Sequence, residues 1–368
     1  MPRISRDDGF TLTELLVATT IMLLVTGAAL GTFQSGLTMN ESSSQMADAN
    51  QNLRAGTNQL IRDIMQAGRI IGPEGVPIPS GTGAQPVNRP SPPGGASLVF
   101  DVATTTNLPD ITTGYELGPL VNGERTDMIT LITVDAFMPV IETPPTGSVD
   151  PNEGTLAADG GSVTLPTASI WLVGDLVNDT PAAQVGDLVL YKNSRGMAIQ
   201  TVTGKDATHL YFAANDSFRF NQRTAPSGSL MSIKQINNTT SAWTEKTSLF
   251  RLLMITYYVD NVTTPGVPRL VRKVNGFSPQ ALAGVVEDLD LTYDLVDGVN
   301  NPTNIVSLPY TDPDAGVTYN SNQIRKVNIH VGVRSEMISR PTQDFIRNHI
   351  STAVDVRSLA SVDRYVGQ

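Results

Sequence analysis

The N-terminal part of the chain carries two successive hydrophobic patterns. In the first, residues 10–33 are predominantly apolar, lack proline and hold one ionisable side chain, Glu14. As a helix these residues would extend for roughly 36 Å at about 1.5 Å per residue, whereas the hydrocarbon core of a bilayer is about 30 Å thick. This pattern predicts a membrane-spanning helix over residues 10–33.

Beyond Phe33 the chain turns polar, and its apolar positions recur every three, four or seven residues. That spacing places them on one stripe of a helix that faces a folded body. The stripe consists of Leu53, Leu60, Ile61, Ile64, Met65 and Gly68. Because no proline occurs between Pro2 and Pro73, we predict one uninterrupted helix within residues 10–71, ending near Ala67. Its first half lies in the membrane and its second half docks on the body.

The periodicity changes after this helix. Residues 72–95 are rich in Pro, Gly and Ser, which indicates a surface loop or linker. The rest of the chain shows short β-rich runs separated by turn residues, among them residues 169–176 (SIWLVGDL) and 229–236 (SLMSIKQI). Polar and apolar residues alternate from Lys326 to Val333, as in half-buried antiparallel strands. The predicted fold class is α+β, with a long N-terminal helix packed on an antiparallel β-rich head.

Composition excludes several classes of function. The 368-residue chain contains no cysteine, which rules out disulfide scaffolds, thiol nucleophiles and cysteine-ligated zinc. Its formal net charge of −10 argues against general nucleic-acid binding, which needs clustered Lys and Arg. The histidines, His209, His330 and His349, are far apart in sequence, which disfavours a three-histidine metal site. We expect no cofactor, no metal and no nucleic-acid partner.

An ionisable residue within an apolar segment needs an explanation. A carboxylate in a bilayer is costly unless it has a partner or a function, and Glu14 follows closely on Gly9 and Phe10. One explanation is that Glu14 complements the positive end of the helix dipole, as it can in any single-pass protein. Alternatively, the apolar segment is a secretory signal that is removed, because residues 26–33 (TGAALGTF) offer small residues for cleavage near Ala29.

The sequence GFTLTE, from Gly9 to Glu14, resembles the processing motif of prepilins in the type IV pilus and type II secretion families. In those families a membrane-bound prepilin peptidase cuts after the glycine and methylates the new N-terminus. The resemblance implies a leader of residues 1–9, cleavage between Gly9 and Phe10, and methylation of Phe10, so that the apolar helix is retained. It also implies that Glu14 pairs with the N-terminal amine of a neighbouring subunit, because an ion pair acts strongly at low dielectric.

The leader carries two arginines, Arg3 and Arg6, which favour a cytoplasmic N-terminus. Together with the resemblance, this implies a single-pass protein of the cytoplasmic (inner) membrane whose head lies outside the cytoplasm. The protein would then enter a pilus or pseudopilus. The implied partners are the prepilin peptidase, other major and minor pilins, and the pilus assembly machinery.

The head, residues 96–368, resembles PilW-type minor pilins. The similar stretches are residues 185–212, 253–276, 282–298 and 349–365. The last stretch departs from the family at residues 356–359, and the cysteines often seen in the family are absent. This resemblance implies a low-abundance minor pilin that primes or caps a filament. A type II secretion pseudopilin of the J class shares the same outline, and a membrane-anchored adhesive module that does not polymerise is a further alternative.

Signals for catalysis or metal binding are weak. Residues 149–154 (VDPNEG) and 311–316 (TDPDAG) place oxygen ligands beside a glycine, but neither has the spacing of an EF-hand, and Asp-Pro turns are the simpler interpretation. No serine lies in a nucleophile-elbow pattern, so no enzyme is indicated. From Gln323 onward seven Lys and Arg accompany four Asp and Glu, and we expect the surplus to pair with acids elsewhere in the head.

Overall fold

The computed structural model describes residues 10–72, 74–93, 98–100, 106–143, 154–234, 243, 245–339 and 343–356. A long helix, α1 (Leu12–Gln66), precedes a head built around an antiparallel sheet of ten strands. This arrangement confirms the predicted α+β class.

Helix α1 is continuous over 55 residues and buries one stripe of its C-terminal half. The buried residues are Leu53, Gly56, Thr57, Leu60, Asp63 and Ile64. The predicted stripe is thus confirmed at Leu53, Leu60 and Ile64. It is wrong at Met65, which is 43 % exposed, because a turn of 3.6 residues carries that position past the edge of the stripe.

The helix ends at Gln66 with Ala67 as its C-cap, close to the predicted end near Ala67. Gly68 adopts a positive φ of 74°, and its N–H donates to the carbonyl of Ile132 at 2.8 Å. A residue with a side chain rarely adopts this conformation. Gly68 therefore turns the chain out of the helix and onto the sheet.

The ten strands of the main sheet are β1 Ile111–Gly114, β2 Met128–Val134, β3 Ile141–Thr143, β4 Leu188–Asn193, β5 Gly196–Thr201, β6 Thr247–Asp260, β7 Arg269–Val274, β8 Gln280–Leu295, β9 Ile324–Ser339 and β10 Asp344–Asp355. Neighbouring strands follow the order β5-β4-β6-β7-β8-β9-β10. On one edge of β6, strand β4 pairs with its first part and β7 with its last part. On the other edge, β3 pairs with the first part and β2 with the remainder. Strand β1 pairs with β2.

Shorter elements surround this sheet. The additional strands are Val76–Pro77, Val87–Asn88, Val99–Phe100, Asn107–Leu108, Leu120–Val121, Glu124–Arg125, Thr155–Leu156, Ser162–Thr164, Gly204–Lys205, His209–Tyr211, Tyr310–Thr311 and Thr318–Tyr319. A one-turn helix, α2, spans Ile170–Val173, and 3₁₀ turns span Leu230–Ile233 and Ser321–Gln323.

Helix α1 crosses the sheet obliquely. Ser42 Oγ lies 3.2 Å from Ser339 Oγ at the end of β9, Gly56 contacts β7 and β8, and the carbonyl of Gln66 accepts a hydrogen bond from Thr133 Oγ1 on β2 at 2.8 Å. The apolar half of α1 therefore leaves the head near Ser339. We call that end of the head the proximal end, and the end beyond Gln66 the distal end.

The core follows this layout. The largest cluster lies between α1 and strands β6 to β9, where the alternating residues Val327, Ile329, Val331 and Val333 of β9 are buried as predicted. A second cluster surrounds Trp171 and Trp243 next to β3, β4 and β5.

Three segments differ from their predictions. The described part of the Pro/Gly-rich segment 72–95 contains only two-residue strands, and Val76, Ile78 and Val87 within it are fully buried, so this part packs on the core instead of running only over the surface. Residues 169–176 contain α2, and residues 229–236 contain a 3₁₀ turn in their described part, where strands were predicted. Apolar runs this short do not distinguish a strand from a buried helical turn.

Candidate functional site: the N-terminal helix

The start of α1 is closed by a capping box formed by Thr11 and Glu14. The N–H of Glu14 donates to Thr11 Oγ1 at 3.3 Å, and the N–H of Thr11 donates to Glu14 Oε2 at 3.0 Å. The Thr11 hydroxyl also donates to Oε2 at 2.8 Å. These reciprocal bonds satisfy N–H groups that otherwise lack partners in the first turn of a helix. Glu14 therefore has a structural role within its own chain.

Only one oxygen of the Glu14 carboxylate takes part in the capping box. Oε2 accepts both bonds from Thr11, whereas Oε1 has no hydrogen bond to any residue that the structure describes. A carboxylate oxygen of this kind can accept a charge-assisted hydrogen bond from an ammonium group. Glu14 can thus keep its cap and still bind a cation supplied by another molecule.

Of the two predicted processing residues, the structure describes Phe10, which lies at the start of the helix. Phe10 lies one residue before the N-cap and is 88 % exposed. Gly9 and the rest of the leader lie outside the described residues. Within the described ranges the head makes no contact with Phe10 or Glu14, so these residues are available to the surroundings of the helix and not to a cleft of the head.

The first half of α1 is long and apolar enough to cross a membrane. An 18-residue window within it has a mean hydropathy of 2.0, and none of that window is buried against the head. Leucine, isoleucine, valine and methionine side chains face outwards all around it. A helix that is apolar on every side is stable in lipid or among other apolar helices, so this half requires such surroundings.

The second half of α1 is fixed to the sheet by a buried ion pair. Asp63 accepts a hydrogen bond from Arg272 Nε on β7 at 2.6 Å and one from the Tyr257 hydroxyl on β6 at 2.6 Å. Burial, reinforced by the negative charge of Asp63, raises the pKa of Tyr257. This triad was not predicted, although a polar residue on the apolar stripe beside Leu60 and Ile64 was a signal of it.

A lone buried carboxyl lies where the chain leaves α1. The Asp110 side chain is 1 % exposed and packs directly against Gly68. Burial raises its pKa to about 7. Neither of its oxygens has a hydrogen bond to any residue in the described part of the chain. A Cβ on Gly68 would approach Asp110 Oδ2 to 2.2 Å, so this junction tolerates glycine alone.

The candidate calcium loops form no ion site in the described residues. In residues 311–316, Asp312 Oδ1 accepts the N–H groups of Asp314 and Ala315, which is a turn closed by its own side chain. Residues 149–154 lie almost entirely outside the described ranges. The described ranges also contain no group of three or more His, Asp or Glu side chains placed to hold a metal.

Two basic residues from the C-terminal surplus pair with one acid, as predicted. Arg334 Nε lies 3.0 Å from Glu287 Oε1, and Arg347 Nε lies 2.9 Å from Glu287 Oε2. Arg334 also stacks on the ring of Phe345 at 3.8 Å. Arg340, Arg357 and Arg364 lie outside the described residues. The pairs at Glu287 join β8 to β9 and β10.

Residue Thr11 was not predicted as part of the site. The letters TLTE, from Thr11 to Glu14, are the sequence signature of a capping box, and they overlap the processing motif. One stretch of six residues therefore contains both the predicted processing site and the start of the helix behind it.

Comparison with known proteins places the motif in a family. Residues 4–30 match the family described as the prokaryotic N-terminal methylation motif. No curated protein matches the chain. Among solved structures, the chain is similar to a type IV-like pilin from Thermus thermophilus, with 12 % identity over 48 % of this chain and 87 % of that chain, at a TM-score of 0.17. The methylation motif, followed by a long helix packed on an antiparallel sheet, supports a type IV pilin-like protein.

Proposed function

We propose that this chain is a PilW-like minor pilin that primes or caps assembly of a type IV pilus after cleavage and N-methylation by prepilin peptidase. One observation carries the proposal. Helix α1 begins at Leu12, two residues after Phe10, and runs without interruption from its exposed apolar half into its docked half. A chain cut before Phe10 therefore keeps an apolar helix that is rigidly connected to its head.

The processing step leaves the helix start intact. Cleavage between Gly9 and Phe10 removes none of the atoms of the capping box, because Thr11 and Glu14 both lie after the cut. It creates an ammonium group on Phe10, next to the end of the helix whose dipole is already positive. A carboxylate from outside the chain stabilises such a group.

Glu14 supplies that carboxylate between subunits. Its Oε1 accepts a hydrogen bond from the N-terminal ammonium group of Phe10 in a neighbouring subunit, while Oε2 keeps the capping hydrogen bonds from Thr11. In an apolar environment this pair is strong and highly dependent on distance. An incoming subunit is therefore held at one axial position, which is the register needed for a filament.

The size of the head favours a minor subunit over the principal one. The head predicted from about residue 96 onward carries a ten-stranded sheet in its described part. A head of this bulk is unsuited to dense helical packing along a whole fibre. The protein acts as a structural component of the filament, anchored in the inner membrane with its head outside the cytoplasm until it is assembled.

Mass spectrometry of the mature N-terminus tests the processing step. The protein, purified from its native membrane or filament, is expected to begin at Phe10 and to carry one added methyl group. A mature chain that begins near residue 30 lacks the apolar segment, and that result would overturn the proposal.

Three single substitutions separate the two roles of Glu14. Glu14→Ala is expected to reduce filament number or incorporation while the head stays folded. Thr11→Ala removes the cap hydroxyl but keeps the carboxylate, so it retains incorporation. Glu41→Ala, an exposed substitution farther along α1, serves as the matched control. Equal losses in Glu14→Ala and Thr11→Ala would show that Glu14 acts only as a cap.

Deletion of the whole protein distinguishes the pilus from the secretion system. A minor pilin is expected to be required for pilus-dependent motility, with enzyme export unchanged. Loss of enzyme export with normal motility would instead assign the chain to the J-class pseudopilins. A folded, membrane-anchored protein that never enters a filament would identify an adhesive module.

A further inference from the structure

Strand β10 forms one border of the main sheet. It spans Asp344–Asp355 and, within the described part of the chain, pairs with β9 alone. Its 12 residues include neither proline nor lysine. These residues commonly protect a border strand, because its free backbone groups otherwise pair with other strands. The register with β9 is regular from Arg347 to Asp355, so this part of β10 offers an extended and unprotected border.

The hydrogen bonds of β10 show which of its backbone groups face away from β9. The N–H of Ile346 donates to Ser335 Oγ on β9 at 3.1 Å, and the N–H of Val356 donates to the carbonyl of Arg325 on β9 at 2.9 Å. Even-numbered residues therefore turn towards β9. Since this direction alternates along an antiparallel strand, the odd-numbered residues from 347 to 355 turn their N–H and C=O groups outwards. We call this row of groups the outer edge.

The outer edge has free hydrogen-bonding groups. The N–H of His349 donates to the neighbouring Asn348 Oδ1 at 2.9 Å. The N–H groups of Ser351, Ala353 and Asp355 have no hydrogen bond to any residue that the structure describes, and all three residues are exposed. An added strand would satisfy these groups, and main-chain hydrogen bonds of this kind supply the affinity in strand addition.

A depression of about 410 Å³ lies beside the outer edge, on the face of the sheet opposite to α1. Its lining includes Asp290, His330, Ser351 and Ala353. Ser351 and Ala353 are small, so a long side chain of an added strand can lie across them. In strand addition, pockets that receive alternate side chains supply the specificity, and this depression is placed to receive one.

Acids outnumber permanent cations around this depression. Asp290 faces His330 across strands β8 and β9, and Asp355 ends β10 on the same face. Lys326 of β9 lies between Asp294 and Asp355, so a single lysine faces two acids. Opposite charges that face each other across neighbouring strands are stabilising. The outer edge therefore favours a strand that bears basic side chains on this face.

The side of β10 that faces α1 is more apolar. Ile350 is half-buried and packs against the largest core cluster, and Val354 is buried. An apolar side chain placed beside Ile350 would extend this core. Because successive side chains of a strand point to opposite faces, a strand suited to the outer edge alternates apolar residues on the α1 side with basic residues on the other.

A second copy of the chain does not meet these requirements. Antiparallel pairing of two outer edges creates a two-fold axis perpendicular to the sheet, and this axis reverses every direction within the plane of the sheet. Because α1 lies along one face of the sheet, the two helices would run in opposite directions. Their apolar halves would then leave the pair at opposite ends, where no single membrane holds both.

We infer that the outer edge of β10 binds an extended strand of a different protein, one whose side chains alternate between apolar and basic residues. The added strand continues the main sheet by one strand. Its apolar side chains lie beside Ile350, and its basic side chains lie over the depression near Asp290 and Asp355. This contact uses neither Phe10 nor Glu14, and it does not depend on the proposed function.

Peptide binding to the full-length protein in detergent tests the inference. The probe is a fluorescent peptide of about eight residues, an ordinary strand length, that alternates valine with lysine or threonine. Its affinity, measured by fluorescence anisotropy, is expected to fall about tenfold in Ala353→Pro, because proline removes one outward N–H and its hydrogen bond. Ala353→Thr, the matched control, keeps that N–H and is expected to bind within about twofold of the natural protein. Equal affinities in the two variants, or no binding to the natural protein, overturn the inference.

A charge exchange provides a second test that leaves the backbone unchanged. A matched peptide with glutamate in place of lysine is expected to bind the natural protein about tenfold more weakly than the lysine peptide. Asp355→Lys is expected to reverse that order. An order that stays the same in Asp355→Lys overturns the assignment of a basic strand.

Photo-cross-linking in the native membrane identifies the partner. A photoreactive amino acid in place of Ser351 is expected to give an adduct with a different protein, joined at a segment that carries lysine or arginine. Adding Ala353→Pro is expected to abolish this adduct, and adding Ala353→Thr is expected to retain it. An adduct of two copies of this chain, an adduct that survives Ala353→Pro, or the absence of any adduct refutes the inference. None of these outcomes alters the N-terminus at Phe10, so the proposed function is tested separately.

Discussion

Asp63 and Arg272 form the tie between the docked half of α1 and the sheet, with Arg272 Nε 2.6 Å from Asp63 Oδ2. The Tyr257 hydroxyl donates to the same oxygen at 2.6 Å. One carboxylate oxygen of the helix thus holds β6 and β7 together in a place where water has little access. The pair therefore stabilises the packing of α1 on the sheet.

Replacing Asp63 by Ala is expected to destabilise the head strongly. The substitution leaves the partly buried guanidinium of Arg272 without its partner, and breaking a buried ion pair in this way costs up to about 3–5 kcal/mol. Chemical denaturation of the full-length protein in detergent, followed by tryptophan fluorescence, measures the loss. Arg62→Ala, on the exposed side of the same turn, is expected to change stability by less than about 0.5 kcal/mol. Similar losses in both variants would contradict the assignment.

Asp110 is expected to make stability depend on pH. Burial raises its pKa from 3.8 to about 7 in the folded chain, so its stabilising contribution is complete below pH 3.8 and is lost as the pH rises through 7. The loss amounts to at most about 4 kcal/mol, at 1.36 kcal/mol for each unit of pKa. Asp110→Asn removes this dependence. Unfolding curves measured at pH 4 and at pH 8 should therefore differ for the natural protein and coincide for the variant.

Gly56 and Gly36 are expected to respond in opposite ways to replacement by Leu. A Cβ on Gly56 would lie 2.9 Å from Ala283 Cβ, whereas nothing lies within 4 Å of a Cβ on Gly36. Overpacking at Gly56 is expected to cost about 1–3 kcal/mol. Gly36→Leu is expected to gain up to about 1 kcal/mol, because Leu favours a helix over Gly. Thermal unfolding of both variants checks the contrast, and a tolerated Gly56→Leu would show that α1 is not held closely to β8.

Glu287 is expected to matter more than its exposed neighbour Asp344, although both pair with Arg347. Glu287→Gln also weakens the half-buried pair with Arg334, and hydrogen bonds to charged groups contribute about 1.5–3 kcal/mol. Asp344→Asn affects only a solvent-exposed pair, for which about 0–1 kcal/mol is typical. Denaturation at low and high salt separates the two cases, because screening weakens the exposed pair of Asp344 more than the pair of Glu287 with Arg334.

The long helix was predictable because its evidence is local. The distances between Leu53, Leu60 and Ile64 along the chain specify one helical face, and the absence of proline extends the helix from the apolar segment to the docked one. The same holds for β9, whose alternation of apolar and polar residues is visible without any partner strand. Processing at Gly9 and Phe10, and the role of Glu14 between subunits, stay predictions.

The ties to the head were not predictable because their partners are distant in sequence. Asp63 interacts with residues 194 and 209 positions away, and no periodicity within the helix indicates which strands it meets. The short helix around Trp171 was mistaken for a strand for a related reason. The orientation of this short helix depends on a distant contact, the hydrogen bond that the Trp171 indole donates to the carbonyl of Pro139.

The contacts of α1 extend from Ser42 near the proximal end to Gln66 at the distal end, and they reach strands β2 and β6 to β10. Tension applied to the apolar end of the helix is consequently distributed as shear over the width of the sheet, and no single strand is peeled away. A head attached in this manner separates from its helix only when many contacts break together.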